Sequence, residues 1–279
     1  MRRVGRPAAA APISRRAGIE PFVHCGAQPA RSNVSIYSRE NPSPRYRELV
    51  RQYQLMHQQG DVHSGMPAEH TFAGRSVLSH AKIIKSLCEH FQAATLLDYG
   101  AGKGDAYRAP CVSIRAEARQ CTLDELWGIQ SLTCYDPGYP PFAMLPRDRF
   151  DAVICIDVLE HCPAEDMSWI LDELFGLAGK FVYASVACFA AHKRLTNGEN
   201  AHCTVRPVPW WRERLAETAS RHPEPHYYFL LTHAVGGPET QLYRSTIVSG
   251  KHSQIKVEQS PVTRPPGEVA AAGGTARHV

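Results

Sequence analysis

An apolar strand that runs directly into three alternating glycines constrains this chain more than any other feature. Leu96-Leu97-Asp98-Tyr99 is followed at once by Gly100-Ala101-Gly102-Lys103-Gly104. Only glycine permits so sharp a turn while leaving the main chain bare enough for a ligand to press against it. The run reads as a strand ending in a carboxylate and opening into a ligand-cradling loop. Spacing then narrows the ligand. A dinucleotide fingerprint, Gly-x-Gly-x-x-Gly, needs its last glycine where Asp105 stands. Asp105 would also set negative charge beside a pyrophosphate that needs helix N-terminal amides. A phosphate-binding P-loop requires Gly-Lys-Ser/Thr, which does not follow.

The elements around this loop predict an α/β chain. Tyr46–His57 and Arg75–Phe91 carry apolar residues at helical spacing, with a loop over 60–74 between them. Strands are expected at Ala94–Tyr99, Leu132–Tyr135, Phe150–Ile156 and Phe181–Ala187. Thr122-Leu-Asp-Glu125 matches a capping box and starts a short helix through Trp127, whereas 111–121 is hard to read. Only 13 residues, 137–149, separate Asp136 from the Phe150 strand, and four of them are proline. A helix-plus-strand unit does not fit there, so the sheet is expected to lack a strand in its middle. Pro163 is expected to open a helix at its first position, and another helix follows around Trp210–Ala219. Tyr227–Thr232 and Gln241–Val248 read as an antiparallel pair at the sheet edge. The expected fold is therefore Rossmann-like: a mostly parallel sheet with flanking helices, a shortened middle and that C-terminal pair.

Charge divides the chain. Residues 1–47 hold nine Arg and two Glu, a net of +7, while the other 232 residues hold 22 basic and 25 acidic residues, a net of −3. The basic character belongs to an arm, expected to be disordered over 1–44, and not to the globular part, 45–250. A general nucleic-acid-binding surface is therefore not expected. The first 19 residues hold five Arg and no acid, which suits a disordered arm or a transit-type targeting peptide. Residues 251–279, rich in Pro, Gly, Ala and Ser, are expected to be a disordered tail. Nine scattered cysteines with no Cys-x-x-Cys pair fit buried small hydrophobes in a reducing, cytoplasmic setting. No apolar run reaches the roughly 18 residues that span a bilayer.

In an open α/β sheet, ligands lie beyond the carboxyl ends of the strands. Four features fall there: the glycine loop with Asp98, Asp136, the run Asp157-Val-Leu-Glu160-His161, and the polar loop from Cys188 to Thr204. Asp136 can accept hydrogen bonds from both hydroxyls of a ribose, or it can order the Asp136-Pro137-Gly138 turn. Asp98 can cap loop amides. His202 lies in Asn197-Gly-Glu199-Asn200-Ala-His202-Cys-Thr204, which is either a substrate-positioning loop or a solvated turn. Of Trp210 and Trp211, one indole is expected in the core. His80 and His90 are read as surface residues without a role.

The Asp-x-Gly-x-Gly-x-Gly form resembles the first motif of class I S-adenosylmethionine-dependent methyltransferases. Phe150-Asp-Ala-Val, ending in Val158-Leu-Glu160-His161 before Pro163, is similar to a second motif of many members. The resemblance covers roughly residues 75–235. It implies S-adenosyl-L-methionine as cofactor, held by Asp98, Gly100, Gly102, Gly104 and Asp136, with Asp157 near its amino-acid end. Glu160 and His161 would face the substrate, with His161 or His202 removing a proton where the acceptor requires it. In some quinone-ring O-methyltransferases the corresponding Glu-His pair helps hold a divalent metal; no metal ligand is assigned here. The acid that members commonly place against the adenine has no equivalent in 137–149, which leaves that contact to 106–130.

The implied activity is methyl transfer to an oxygen or nitrogen. No Asn/Asp-Pro-Pro-Tyr follows the Phe150 strand and no Pro-Cys nucleophile pair is present, which favours a small-molecule, lipid or glycan acceptor. A non-catalytic S-adenosylmethionine-binding or scaffold protein of the same fold is the alternative. A nicotinamide-dependent oxidoreductase is a third reading, disfavoured by Asp105.

Overall fold

The computed structural model describes residues 36–108, 112–114, 119–235 and 242–250. The expected arm up to residue 35 and the tail from 251 lie outside them. Residues 36–44, assigned to the arm by sequence, belong to the described fold. Arg39 reaches under the sheet, where its guanidinium donates to Tyr99 Oη and Tyr135 Oη, each at 2.9 Å, and pairs with Glu173.

Helix α1 (Pro44–Gln59) follows, with the Ser43 hydroxyl accepting the Tyr46 N–H at 3.0 Å and proline in the first turn. A 3₁₀ turn (Ser76–His80) leads into α2 (Ala81–Phe91), where sequence periodicity predicted one continuous helix. Strand β1 (Thr95–Tyr99) and the glycine loop come next, then a short hairpin of β2 (Val112–Ile114) and β3 (Arg119–Cys121) in the segment the sequence left unread. Helix α3 (Leu123–Trp127) carries the expected Thr122–Glu125 capping box. Strand β4 (Ser131–Tyr135) connects to β5 (Phe150–Ile156) without a strand between them, as the prolines require.

Helix α4 (Met167–Leu177) begins four residues after Pro163, behind a turn that ends at the buried Asp166. The sequence reading placed that start at Pro163. Asp166 sets the true one: its carboxylate accepts the Ser43 N–H at 3.0 Å and the Trp169 indole N–H at 2.8 Å, tying α4 to the start of α1. Strand β6 (Ala178–Ala187), α5 (Val208–Arg221), β7 (His226–Val235) and β8 (Leu242–Ser249) complete the chain.

The strands form one six-stranded sheet in the order β4-β1-β5-β6-β7-β8, parallel throughout except for the antiparallel β7–β8 pair at the edge. This is the Rossmann-like α/β arrangement expected from the sequence. Side chains alternate between two cores. In β5, Val153 and Cys155 face α4, while Ala152, Ile154 and Ile156 face α2. Phe150 joins the Val153 side because the register shifts between Phe150 and Ala152. Trp211 is fully buried in the first core, as expected for one indole of the pair. His80, read as a surface residue, is instead 4% exposed, with Nδ1 2.7 Å from the Tyr183 hydroxyl. Its apolar neighbours Val77 and Ala81 carry the turn inward and take His80 with them. No helix among the described residues is long and apolar enough to cross a membrane.

Candidate functional site

Strand order reverses at β1. The chain leaves β1 towards β4 on one side, while β5 lies on the other and continues towards β6. The loops at their carboxyl ends therefore diverge, and a crevice opens between them. It encloses about 1050 Å³, including space open to solvent, which suits a nucleoside-sized ligand with an acceptor beside it.

The floor of this crevice is bare main chain. Gly100, Gly102 and Gly104 all have positive φ, at 89°, 58° and 65°. A Cβ on Gly100 would stand 2.3 Å from Val158 Cγ2, and one on Gly102 would stand 2.3 Å from the Phe72 carbonyl oxygen. Those two positions have no room for a side chain. The Gly100 and Ala101 amides donate to the Tyr135 carbonyl, at 2.7 and 3.1 Å, which turns the loop back across the end of β4. Asp136 completes the turn, with Oδ2 accepting the Gly102 N–H and Oδ1 the Gly138 N–H, each at 2.8 Å. These hydrogen bonds bear out the turn-ordering reading of Asp136. It orders the Asp-Pro-Gly turn and faces the crevice, with a second lone pair left on each oxygen.

Two residues of the crevice hold strained backbone. Asp157 and Phe72 have φ of 55° and 53°, in the left-handed region that side chains of this size rarely occupy. Asp157 is locked there by Ser185, whose carbonyl accepts its N–H at 3.1 Å and whose hydroxyl donates to Oδ1 at 2.6 Å. Such strain persists only where surrounding structure enforces it, and it clusters at functional sites.

Charge is the most discriminating property of the crevice. Asp98, Asp136 and Asp157 line it, and among the described lining residues there is neither Lys nor Arg. Lys103, within the glycine loop, is not among the lining residues. Its ammonium donates to the carbonyls of Ala68 and Thr71 at 2.8 Å and of His57 at 3.3 Å, which clasps the 57–72 segment onto the loop. Asp98 is buried, and burial, reinforced by Asp136, pushes its carboxyl up to about 7 against the opposing Tyr107 hydroxyl, which donates to Oδ2 at 2.6 Å. Asp98 therefore bonds to Tyr107, where the sequence suggested loop amides.

Helix α1 forms the roof. Tyr46, Leu49, Val50, Tyr53 and His57 lie on one helical face and line the crevice opposite the glycines. The sequence reading recognised the helix but gave these residues no role. Their recurrence at three- and four-residue spacing, with tyrosine and histidine where a plain core stripe carries aliphatics, is the signal that marks them. Burial, with Lys103 and Lys193 nearby, pushes His57 down to about 4, so it is neutral at pH 7.

Glu160, His161 and His202 stand together at one end of the crevice, each able to offer a donor atom within 4.8 Å of the others. His161 lines the crevice, whereas Glu160 and His202 lie behind it. Glu160 is fully buried; Oε1 accepts the Ala187 N–H at 2.9 Å, and Oε2 has no hydrogen-bond partner. Of the six predicted cofactor residues, Asp98, Gly100, Gly102, Asp136 and Asp157 line the crevice. Gly104 does not; it packs against Phe142 and Cys134 and opens the 3₁₀ turn Asp105–Tyr107. Within 106–130, the region left with the adenine contact, residues 109–111 and 115–118 fall outside the described residues.

Compared with known proteins, the chain matches no family model, no curated protein and no solved structure.

Proposed function

We propose that this chain is an S-adenosyl-L-methionine-dependent methyltransferase acting on an oxygen or nitrogen of a small-molecule, lipid or glycan acceptor. The observation that carries the reading is the charge of the glycine-floored crevice: three aspartates and, among the described lining residues, neither Lys nor Arg. A pyrophosphate cofactor would meet Asp136 and Asp157 there, and Asp98 once it ionises, with the loop lysine already committed to carbonyls. A ligand with a sulfonium, an α-ammonium and a neutral nucleoside meets attraction instead. Asp136 offers paired oxygens for ribose hydroxyls, and Gly100 and Gly102 lay bare main chain along the crevice wall.

When bound, the cofactor supplies an electrophilic methyl on positively charged sulfur. The chain's own residues do the rest, and their main contribution is alignment within a walled site. The α1 face, with Tyr46, Leu49, Val50 and Phe72, offers an apolar wall for an acceptor. His161 is held neutral, its pKa pushed down to about 3 by burial and by His202. A carbonyl can only accept, so the 2.9 Å contact from Nδ1 to the Ala201 oxygen places the proton on Nδ1. The Nε2 lone pair is then available to an acceptor's proton, as a weak base suited to acceptors that lose theirs readily.

Isothermal titration with S-adenosylhomocysteine tests the reading. Wild-type protein should bind it and Asp136→Ala should bind it at least about tenfold more weakly, a loss of one charge-assisted hydrogen bond's worth. NADH should not bind. No binding of S-adenosylhomocysteine, or equal binding by the variant, refutes the assignment. Binding without transfer of labelled methyl to any fraction of a cell extract would leave a non-catalytic binding protein.

A further inference from the structure

We infer that Glu160, His161 and His202 form a binding site for a divalent first-row transition-metal ion at the end of the crevice. The inference rests on the donors themselves and holds whether or not the crevice takes S-adenosylmethionine. It goes beyond the Glu-His resemblance in supplying a third ligand, His202, forty-one residues further along the chain, and a class of ion.

The first observation is the state of the two imidazoles. His161 Nδ1 donates to the Ala201 carbonyl at 2.9 Å, and His202 Nδ1 to the Phe189 carbonyl at 2.6 Å. Each ring is thereby fixed in the tautomer whose Nε2 carries a lone pair, and neither Nε2 makes a hydrogen bond among the described residues. This is how metal-ligating histidines are held: one nitrogen anchored to a carbonyl, the other presented. Tyr53 Oη, 2.8 Å from His161 Nδ1 and 3.2 Å from the Ala201 oxygen, braces the same ring from α1.

The second observation is an orphaned oxygen. Glu160 is completely buried, and its Oε2 has no partner while Oε1 is satisfied by Ala187. An unpaired carboxyl oxygen in the interior is costly, and buried polar atoms are almost always satisfied. A cation between it and two imidazole lone pairs removes that cost. Asp157, whose charge is felt by both Glu160 and His202, adds further negative potential, while Lys193 opposes it at His161.

The donor set selects the ion. Two imidazoles and one carboxylate suit zinc, iron, cobalt or manganese, whereas magnesium and calcium prefer all-oxygen shells. Donors at 2.1 Å from a tetrahedral ion stand roughly 3.4 Å apart, so the present 4.8 Å spread closes with side-chain rotations of about an ångström. Three protein ligands leave open positions, and His161 is the ligand that lines the crevice. Its Nε2 can serve an ion or act as a base, not both at once.

The test uses the full chain, stripped with chelator, and Zn2+ alone as probe, with Mg2+ as comparator. Titration should show one saturable Zn2+ site and a rise in Tm on addition, with no comparable response to Mg2+. His202→Ala and Glu160→Gln should each weaken that site at least about 100-fold and abolish the Tm rise, with circular dichroism unchanged. Should Glu160→Gln fail to fold, His202→Ala, on a half-buried loop residue, carries the test alone. Absence of saturable Zn2+ binding, wild-type Zn2+ affinity in His202→Ala, or equal binding of Mg2+ overturns the inference.

Discussion

Replacing Asp98 by Asn should stabilise the ligand-free protein at alkaline pH, although a buried hydrogen-bonded residue is being changed. Asp98 is 3% exposed, and burial, with Asp136 beside it, raises its carboxyl from 3.8 to about 7. The folded chain thus holds this proton more tightly than the unfolded chain. The residue's contribution to stability is intact below the unfolded pKa and is lost as pH rises through the window from about 4 to about 7. Three pH units at 1.36 kcal/mol each set the loss at about 4 kcal/mol by pH 8. Asn has the same shape, carries no charge and can still accept the Tyr107 hydroxyl. Urea unfolding of both proteins between pH 4 and pH 8 checks this, provided the m-value stays constant. The two curves should nearly coincide at pH 4 and separate progressively, with Asp98→Asn the more stable at pH 8 by up to about 4 kcal/mol. A stability difference that does not change with pH, or a variant less stable at pH 8, would show that Asp98 carries its charge without cost. The same proton should couple to ligand: affinity for a cationic ligand should rise from pH 6 to pH 8 in the wild type and stay flat in the variant.

Other perturbations test the loop. Gly100→Ala puts a methyl 2.3 Å from Val158 Cγ2 at a φ of 89°, so it should destabilise by about 1–3 kcal/mol in thermal unfolding. Adding Val158→Ala should recover only the steric part. Lys103→Met removes the donor to three carbonyls but keeps the stem, and should speed hydrogen exchange across residues 66–74 while sparing β5 and β6. Tyr53→Phe should leave the fold intact and lower Zn2+ affinity by about 10-fold, because it removes a brace on His161 and not a ligand.

The parts of the fold that local chemistry dictates were legible in the sequence. Strand alternation, the Thr122 capping box and the proline count of 137–149 each specify their structure within a dozen residues. The glycine loop and Asp136 could be placed together because strand ends in a parallel sheet converge by topology. The rest depends on distant partners. The start of α4 is set by Asp166 meeting Ser43, 123 residues away, and nothing near Pro163 reports that. His80 is buried because Tyr183 supplies a partner from another strand. Nothing in the glycine run reports that Lys103 is taken up by carbonyls of the 57–72 segment. Glu160 and His202 are brought together only when the 188–204 loop folds back under α1, where Leu195 and Ala201 pack on Leu49 and Met56.

That last packing explains how one crevice can support two electrostatic regimes. At the glycine end, three aspartates line the crevice, and Lys103 donates to carbonyls of the 57–72 segment while easing the charge of Asp136. At the histidine end, α1 and the 188–204 loop close over the imidazoles and strip them of water. Burial there drives His161 and Glu160 both towards neutrality and leaves one Glu160 oxygen unpaired, a cost that a bound cation would remove. The aspartates favour a positively charged ligand from solvent, and the histidine end favours a positively charged ion from within. An acceptor lying along the Tyr46–Tyr53 face would span the two, with its reacting atom between a cationic donor and a polarising group.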